Sequence, residues 1–106
     1  MSDPARFNRR LSFESPVETA DGAGGVTRTY EQIALVWAEV TPLTASVEIT
    51  ADARGAKVTH RIVIRAGRAV TNRDRFIDGA RVYRVIATRE RADRRLIEIM
   101  AEQQTD

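Results

Sequence analysis

The chain has 106 residues, 42% hydrophobic and 30% charged, with a formal net charge of +2 and no cysteine. That length supports one core rather than two, and the composition is that of an ordinary soluble globular protein. The lack of thiols excludes a disulfide framework and gives no sign of an oxidising compartment.

No apolar run approaches the roughly 20 residues needed to span a bilayer. Met1-Ser2-Asp3-Pro4 lacks a basic region followed by an apolar core, so no signal peptide is expected and the cytoplasm is the default site of synthesis. The pI is about 9.7, and Lys57 is the only lysine, so arginine supplies nearly all the positive charge. Either an arginine-biased genome or a real electrostatic role accounts for this.

The first expected strand alternates Phe7, Arg9, Leu11, Phe13 and Ser15 with Asn8, Arg10, Ser12 and Glu14, and ends at Pro16. Asp21-Gly22-Ala23-Gly24-Gly25 marks a flexible turn rich in residues that accept positive φ. A second long strand runs from about Val26 to Val40, with a break expected near Tyr30-Glu31. Its centre, Ile33-Ala34-Leu35-Val36-Trp37-Ala38, is apolar on both faces, which places it centrally in the fold or against another subunit.

Thr44 to Ala56 reads as a short helix or a mobile loop. Val47, Ile49 and Ala51 alternate, while the alanines and the Glu48/Asp52 spacing favour helix. Residues 57–66 alternate strictly, with Val58, His60, Ile62 and Ile64 on one face and only Val63 breaking the polar pattern of the other. Asp78-Gly79 signals a hairpin between Arg75-Phe76-Ile77 and Arg81–Ala87, because both central residues of a type I′ turn need positive φ. A charged turn, 89–95, leads into a last strand from Leu96 to about Met100, and residues 1–6 and 102–106 are expected to fray. The expected fold is therefore all-β and mainly antiparallel: one domain over 1–106, a barrel or sandwich of about six strands with one short helix or loop inserted near 44–56.

No catalytic or metal constellation is legible. A structural zinc needs about four convergent ligands, whereas His60 is the sole histidine and lies on the apolar face of its strand. A serine nucleophile would need an oriented histidine base, and no serine stands in a nucleophile turn. Gly22-Ala23-Gly24-Gly25 lacks the Lys-Ser/Thr of a P-loop and sits between two strands. Arginines at 6, 9 and 10 and at 89, 91, 94 and 95 offer non-specific phosphate contacts, but Glu90 and Asp93 dilute the second group and aromatic residues for stacking bases are few. Trp37 is read either as core or as an interface anchor.

Several segments together resemble the phage head–tail joining family. They are Arg9-Arg10-Leu11-Ser12-Phe13 with Pro16-Val17-Glu18, Asp21 to Gly25, Val36-Trp37-Ala38-Glu39-Val40 with Pro42-Leu43, and Thr59-His60-Arg61-Ile62-Val63-Ile64-Arg65. Phe76-Ile77-Asp78-Gly79-Ala80-Arg81-Val82-Tyr83 and Leu96-Ile97-Glu98-Ile99 complete the series, so the resemblance runs from Arg9 to Met100. Tyr30 stands where that family often has tryptophan, and the usual glycine before the first strand is missing.

The resemblance implies a non-enzymatic virion protein without cofactor or metal, assembled in the bacterial cytoplasm. It would form a homo-oligomeric, commonly hexameric ring in the neck of a phage, prophage or gene transfer agent particle. The ring would sit below the portal or adaptor, close the DNA-filled head and offer the tail a platform, meeting packaged double-stranded DNA non-specifically and no membrane. An adaptor or tail-completion role, or a small single-stranded nucleic-acid-binding barrel, is the alternative. Glu48, Asp52, Arg54 and Lys57 are the expected channel or gating residues. Leu35, Trp37, Arg91, Arg94 and Arg95 are the expected interface residues.

Overall fold

A computed structural model describes residues 7–48, 57–91 and 95–104, with backbone alone for 44–48. Among these residues there are six strands: β1 (Arg9–Ala20), β2 (Val26–Glu48), β3 (Lys57–Arg65), β4 (Arg75–Asp78), β5 (Arg81–Glu90) and β6 (Leu96–Gln103). All pairings are antiparallel, and the order β1-β2-β3-β6-β5-β4 closes into a barrel through β4 against β1.

Alternation builds the core. Leu11 and Phe13 of β1, Val36 and Ala38 of β2, Ile62 and Ile64 of β3, Phe76 of β4, Tyr83 and Val85 of β5, and Ile97, Ile99 and Ala101 of β6 fill the interior. Phe13 and Phe76 are register partners whose tilted rings stack with centroids 5.2 Å apart, fastening the closing seam. Val63, the exception to the alternation of β3, points out of the barrel yet is buried, because Phe7 and Leu96 cover it. Arg65 in turn lies over the Phe7 ring at 5.3 Å.

Several boundaries differ from the sequence reading. β1 does not stop at Pro16 but continues to Ala20, with Pro16 opposite Tyr30. β4 pairs only with Ser12–Glu14, so beyond Glu14 β1 is an edge where a missing N–H costs nothing. β2 is not broken at Tyr30-Glu31. The irregularity falls at Ile33 instead, an extra residue between the pairs Phe13–Ala34 and Glu14–Gln32. No helix occurs in the described part of 44–56, since β2 runs on as strand through Glu48 opposite Lys57; residues 49–56 lie outside the described residues.

The β4–β5 turn is Gly79-Ala80, bracketed by the pair Asp78–Arg81, so Gly79 (φ +60°) is the first central residue and Asp78 is still strand. That is where a type II′ turn requires glycine. The last strand passes Met100 to Gln103, whose N–H donates to Thr59 Oγ1 at 2.8 Å. Trp37 is not core: it faces outward, 52% exposed.

Beyond the barrel, β1 and β2 continue together as a hairpin arm that makes the molecule 51 × 29 × 27 Å. From Val17 to Thr29 every residue is exposed. The arm's base is braced on its β1 side. Asp74, itself buried, accepts hydrogen bonds from Ser15 Oγ (2.8 Å) and Thr71 N (2.8 Å). Arg73 binds Glu18 at 2.5 Å, Arg75 binds Glu14 at 2.7 Å, and the Arg75 guanidinium lies 3.8 Å from the Tyr30 ring centre.

These packing differences set mutational costs. Phe76→Ala, which empties a fully buried ring at the seam, is expected to lower stability by about 3–5 kcal/mol. Trp37→Ala is expected to stay within about 0.5 kcal/mol. Urea unfolding of the two variants against the parent chain measures both.

Candidate functional site

Trp37, Leu35 and Ile33 share the outward face of β2 because Ala38, Val36 and Ala34 share the inward one. They are 52%, 49% and 52% exposed, a contiguous apolar stripe at the root of the arm. Single exposed apolar residues are ordinary, whereas three in register on one strand form a continuous exposed apolar patch. Each half-exposed side chain stands to gain roughly 1 kcal/mol on being covered.

Basic residues frame the stripe. Arg10, the register partner of Trp37, holds its guanidinium 5.6 Å from the ring centre. Arg65 lies one step past Ile64, the partner of Ala38, and so flanks Trp37 from the β3 side. Arg68 is turned instead towards the core-side Phe13 ring, at 5.9 Å.

The expected interface residues therefore divide. Leu35 and Trp37 come together in the stripe. Arg91 is held on its own barrel, donating to Glu98 Oε2 at 3.1 Å beside Arg89, which donates to Oε1 at 2.7 Å. Two guanidiniums thus neutralise one buried outward-facing carboxylate, and both are spent within the subunit. Arg95 is exposed, and its carbonyl accepts the Ala66 N–H at 2.9 Å. Arg94 lies outside the described residues. Of the expected channel residues, Lys57 opens β3 opposite Glu48, while Asp52 and Arg54 lie outside the described residues.

Sequence reasoning missed the arm and its arginine frame. The arm carries no apolar alternation, because it has no inner face to bury. The pairing of Arg10 with Trp37 depends on a register that no local pattern reveals.

The arm's tip is nonetheless built. Asp21 Oδ1 accepts the N–H groups of Ala23 (2.8 Å) and Gly25 (3.1 Å), which hold its carboxyl below the ordinary range. A side chain at Gly25 would place its first carbon 2.8 Å from Asp21 Oδ2, so the Asp21 carboxylate would have to shift from this position.

His60 sits half-buried at one end of the barrel, its Nδ1 2.9 Å from Thr59 Oγ1 and its ring edge-on to Tyr83 at 5.0 Å. Burial, and secondarily the charge of Arg81, lower its pKa. Among the described residues no group of three or more metal-ligating side chains converges. Phe13, Phe76 and Tyr83 are consumed by the core and Phe7 by the outer patch, leaving Trp37 and the half-buried Tyr30 near the surface.

The site is thus a closed barrel with a projecting arm and an arginine-framed, exposed apolar stripe. A family model described as phage head completion protein matches residues 2–104. The chain belongs to that family, whose members are structural proteins of the virion.

Two solved structures share the fold. One, from the virion of a native gene transfer agent particle, is 33% identical, with a TM-score of 0.72, covering 93% of this chain and 96% of its own. The other, the solution structure of protein SF1141 from Shigella flexneri 2a, is 22% identical with a TM-score of 0.71, covering 96% of each chain. No protein with a curated description matches significantly.

The lowered His60 pKa has a definite sign. The unfolded chain takes up the proton near the ordinary value of about 6.5, and the folded chain resists it to lower pH. The stabilising contribution is thus present above that value and lost as pH falls through it towards the folded pKa. Urea midpoints measured between about pH 7.5 and pH 5 should decline in the parent chain and decline less in His60→Gln.

Proposed function

We propose that this chain is a head-closure component of a particle neck: it forms a homo-oligomeric ring below the portal or adaptor, retains the packaged DNA and offers a platform to the tail. Family membership supplies the head-completion role, and the relative found in a gene transfer agent virion supports placing the chain in a particle. The observation that carries the ring is the outward stripe Ile33-Leu35-Trp37, apolar surface that a solitary barrel leaves in water. A ring subunit needs two different complementary surfaces, and closure leaves neither unpaired.

The role is passive in chemistry. Closure needs a duct that does not grip DNA, and two of the arginines near the chain's end are neutralised by Glu98 on the barrel itself. A strongly basic lumen would hold the duplex through its phosphates and oppose its exit. The expected gating residues Glu48, Asp52, Arg54 and Lys57 belong to the same proposal; of these, Glu48 and Lys57 are register partners of β2 and β3, and Asp52 and Arg54 lie outside the described residues.

Deleting the gene and imaging the particles by electron microscopy tests this reading. The expected result is heads without tails, many emptied of DNA, restored by the wild-type gene in trans. Normal tailed particles from the deletion strain would refute it.

A further inference from the structure

We propose that the β1–β2 arm is a clasp between copies of this chain, the acidic arm of one subunit lying on the arginine-framed apolar stripe of the next. The inference rests on the ring reading above and names the two surfaces that would close the ring.

The arm is incomplete by itself. Neither face is covered between Val17 and Thr29, and a two-stranded hairpin alone is marginal in water. Its β2 edge is also open: β3 pairs with β2 only from Ala38 onward, so among the described residues Val26–Trp37 have no strand on the side away from β1. That edge reads Val-Thr-Arg-Thr-Tyr-Glu-Gln-Ile-Ala-Leu-Val-Trp, strand-favouring and free of the proline or lysine that blunts exposed edges. Val26 on that edge and Val17 on β1 add exposed apolar surface to the arm.

Charge selects the occupant. Residues 14–32 contain four carboxylates against one arginine, Arg28; Glu14 and Glu18 are already paired with Arg75 and Arg73, which leaves Asp21 and Glu31 as the charge the arm carries outward. Two arms laid edge to edge would bring like charges together. The stripe is framed instead by Arg10 and Arg65. Opposite sign favours arm-to-stripe over arm-to-arm contact.

Reach and symmetry agree. Seven strand residues extend on the order of 20 Å, close to the 27–29 Å cross-section of the molecule. An arm that leaves one subunit can therefore cross most of its neighbour. Donor and receiver are different surfaces of the same chain, so the contact is heterologous and propagates until a ring closes.

The absence of cysteine makes the contact directly testable in assembled particles. Thr27→Cys marks the arm, and Asn8→Cys, two residues before Arg10, marks the receiver; both positions are exposed. After treatment with a short bismaleimide, particles carrying both substitutions should give a ladder of multiples of the 11.9 kDa chain on a denaturing gel. Either substitution alone should give monomer. Adding Trp37→Ala should weaken the ladder several-fold while leaving the thermal midpoint of the purified chain unchanged.

A dimer from Thr27→Cys alone would show arm-to-arm contact and overturn the clasp. So would adducts only to a different particle protein, no adduct from a chain present in the particle, or a ladder indifferent to Trp37→Ala. Each of these leaves the neck role standing. Absence of the chain from purified particles would bring down the neck role and the clasp together.

Discussion

Because successive residues of a strand point to opposite sides, β2 cannot bury Ala34, Val36 and Ala38 without turning Ile33, Leu35 and Trp37 into water. Both sets are apolar. The inward set helps hold a closed six-strand barrel together, and the outward set is left exposed. Register makes this arrangement hard to escape, since a slip of one residue would exchange the two faces and open the core. The outward stripe is thus fixed by the same alternation that stabilises the fold.

The extra residue at Ile33 shows how the strand serves two ends. Past it the β1–β2 pair leaves the barrel and continues as an arm, and bulges of this kind bend and twist a strand where pairing partners change. Loop 71–75 anchors the arm's root through Asp74, Arg73 and Arg75, so its direction is set by the barrel rather than by the arm's own sequence. Guanidiniums are divided between two uses. Those of Arg73, Arg75, Arg89 and Arg91 brace the subunit internally, whereas Arg10 and Arg65 lie over exposed or outer-face aromatic rings. Composition alone made these arginines look equivalent.

The barrel was legible wherever one face is buried against one wetted face. The alternation in 57–65 predicts β3, and Val82, Tyr83 and Val85 fall within β5 as expected. What failed had physical causes. Pro16 reads as a stop, but it sits on a free edge where its missing donor is harmless. Asp78-Gly79 reads as the centre of a turn, but the strands pair through Asp78 and the turn begins one residue later. The alanines near 44–56 favour helix locally, yet pairing with β3 holds β2 extended as far as Glu48. For the site, a two-sided apolar strand left Trp37 undecided between core and interface, because the choice depends on whether a second layer covers the outer face. Among the described residues none covers Trp37, which is 52% exposed.

An electron cryomicroscopy reconstruction of the particle neck addresses the outward stripe most directly. The expected map shows this barrel in a ring, with Leu35 and Trp37 covered at the contact between neighbouring copies. A map in which the barrel is present and Trp37 faces bulk solvent would contradict the assignment of β2's outer face as an assembly surface.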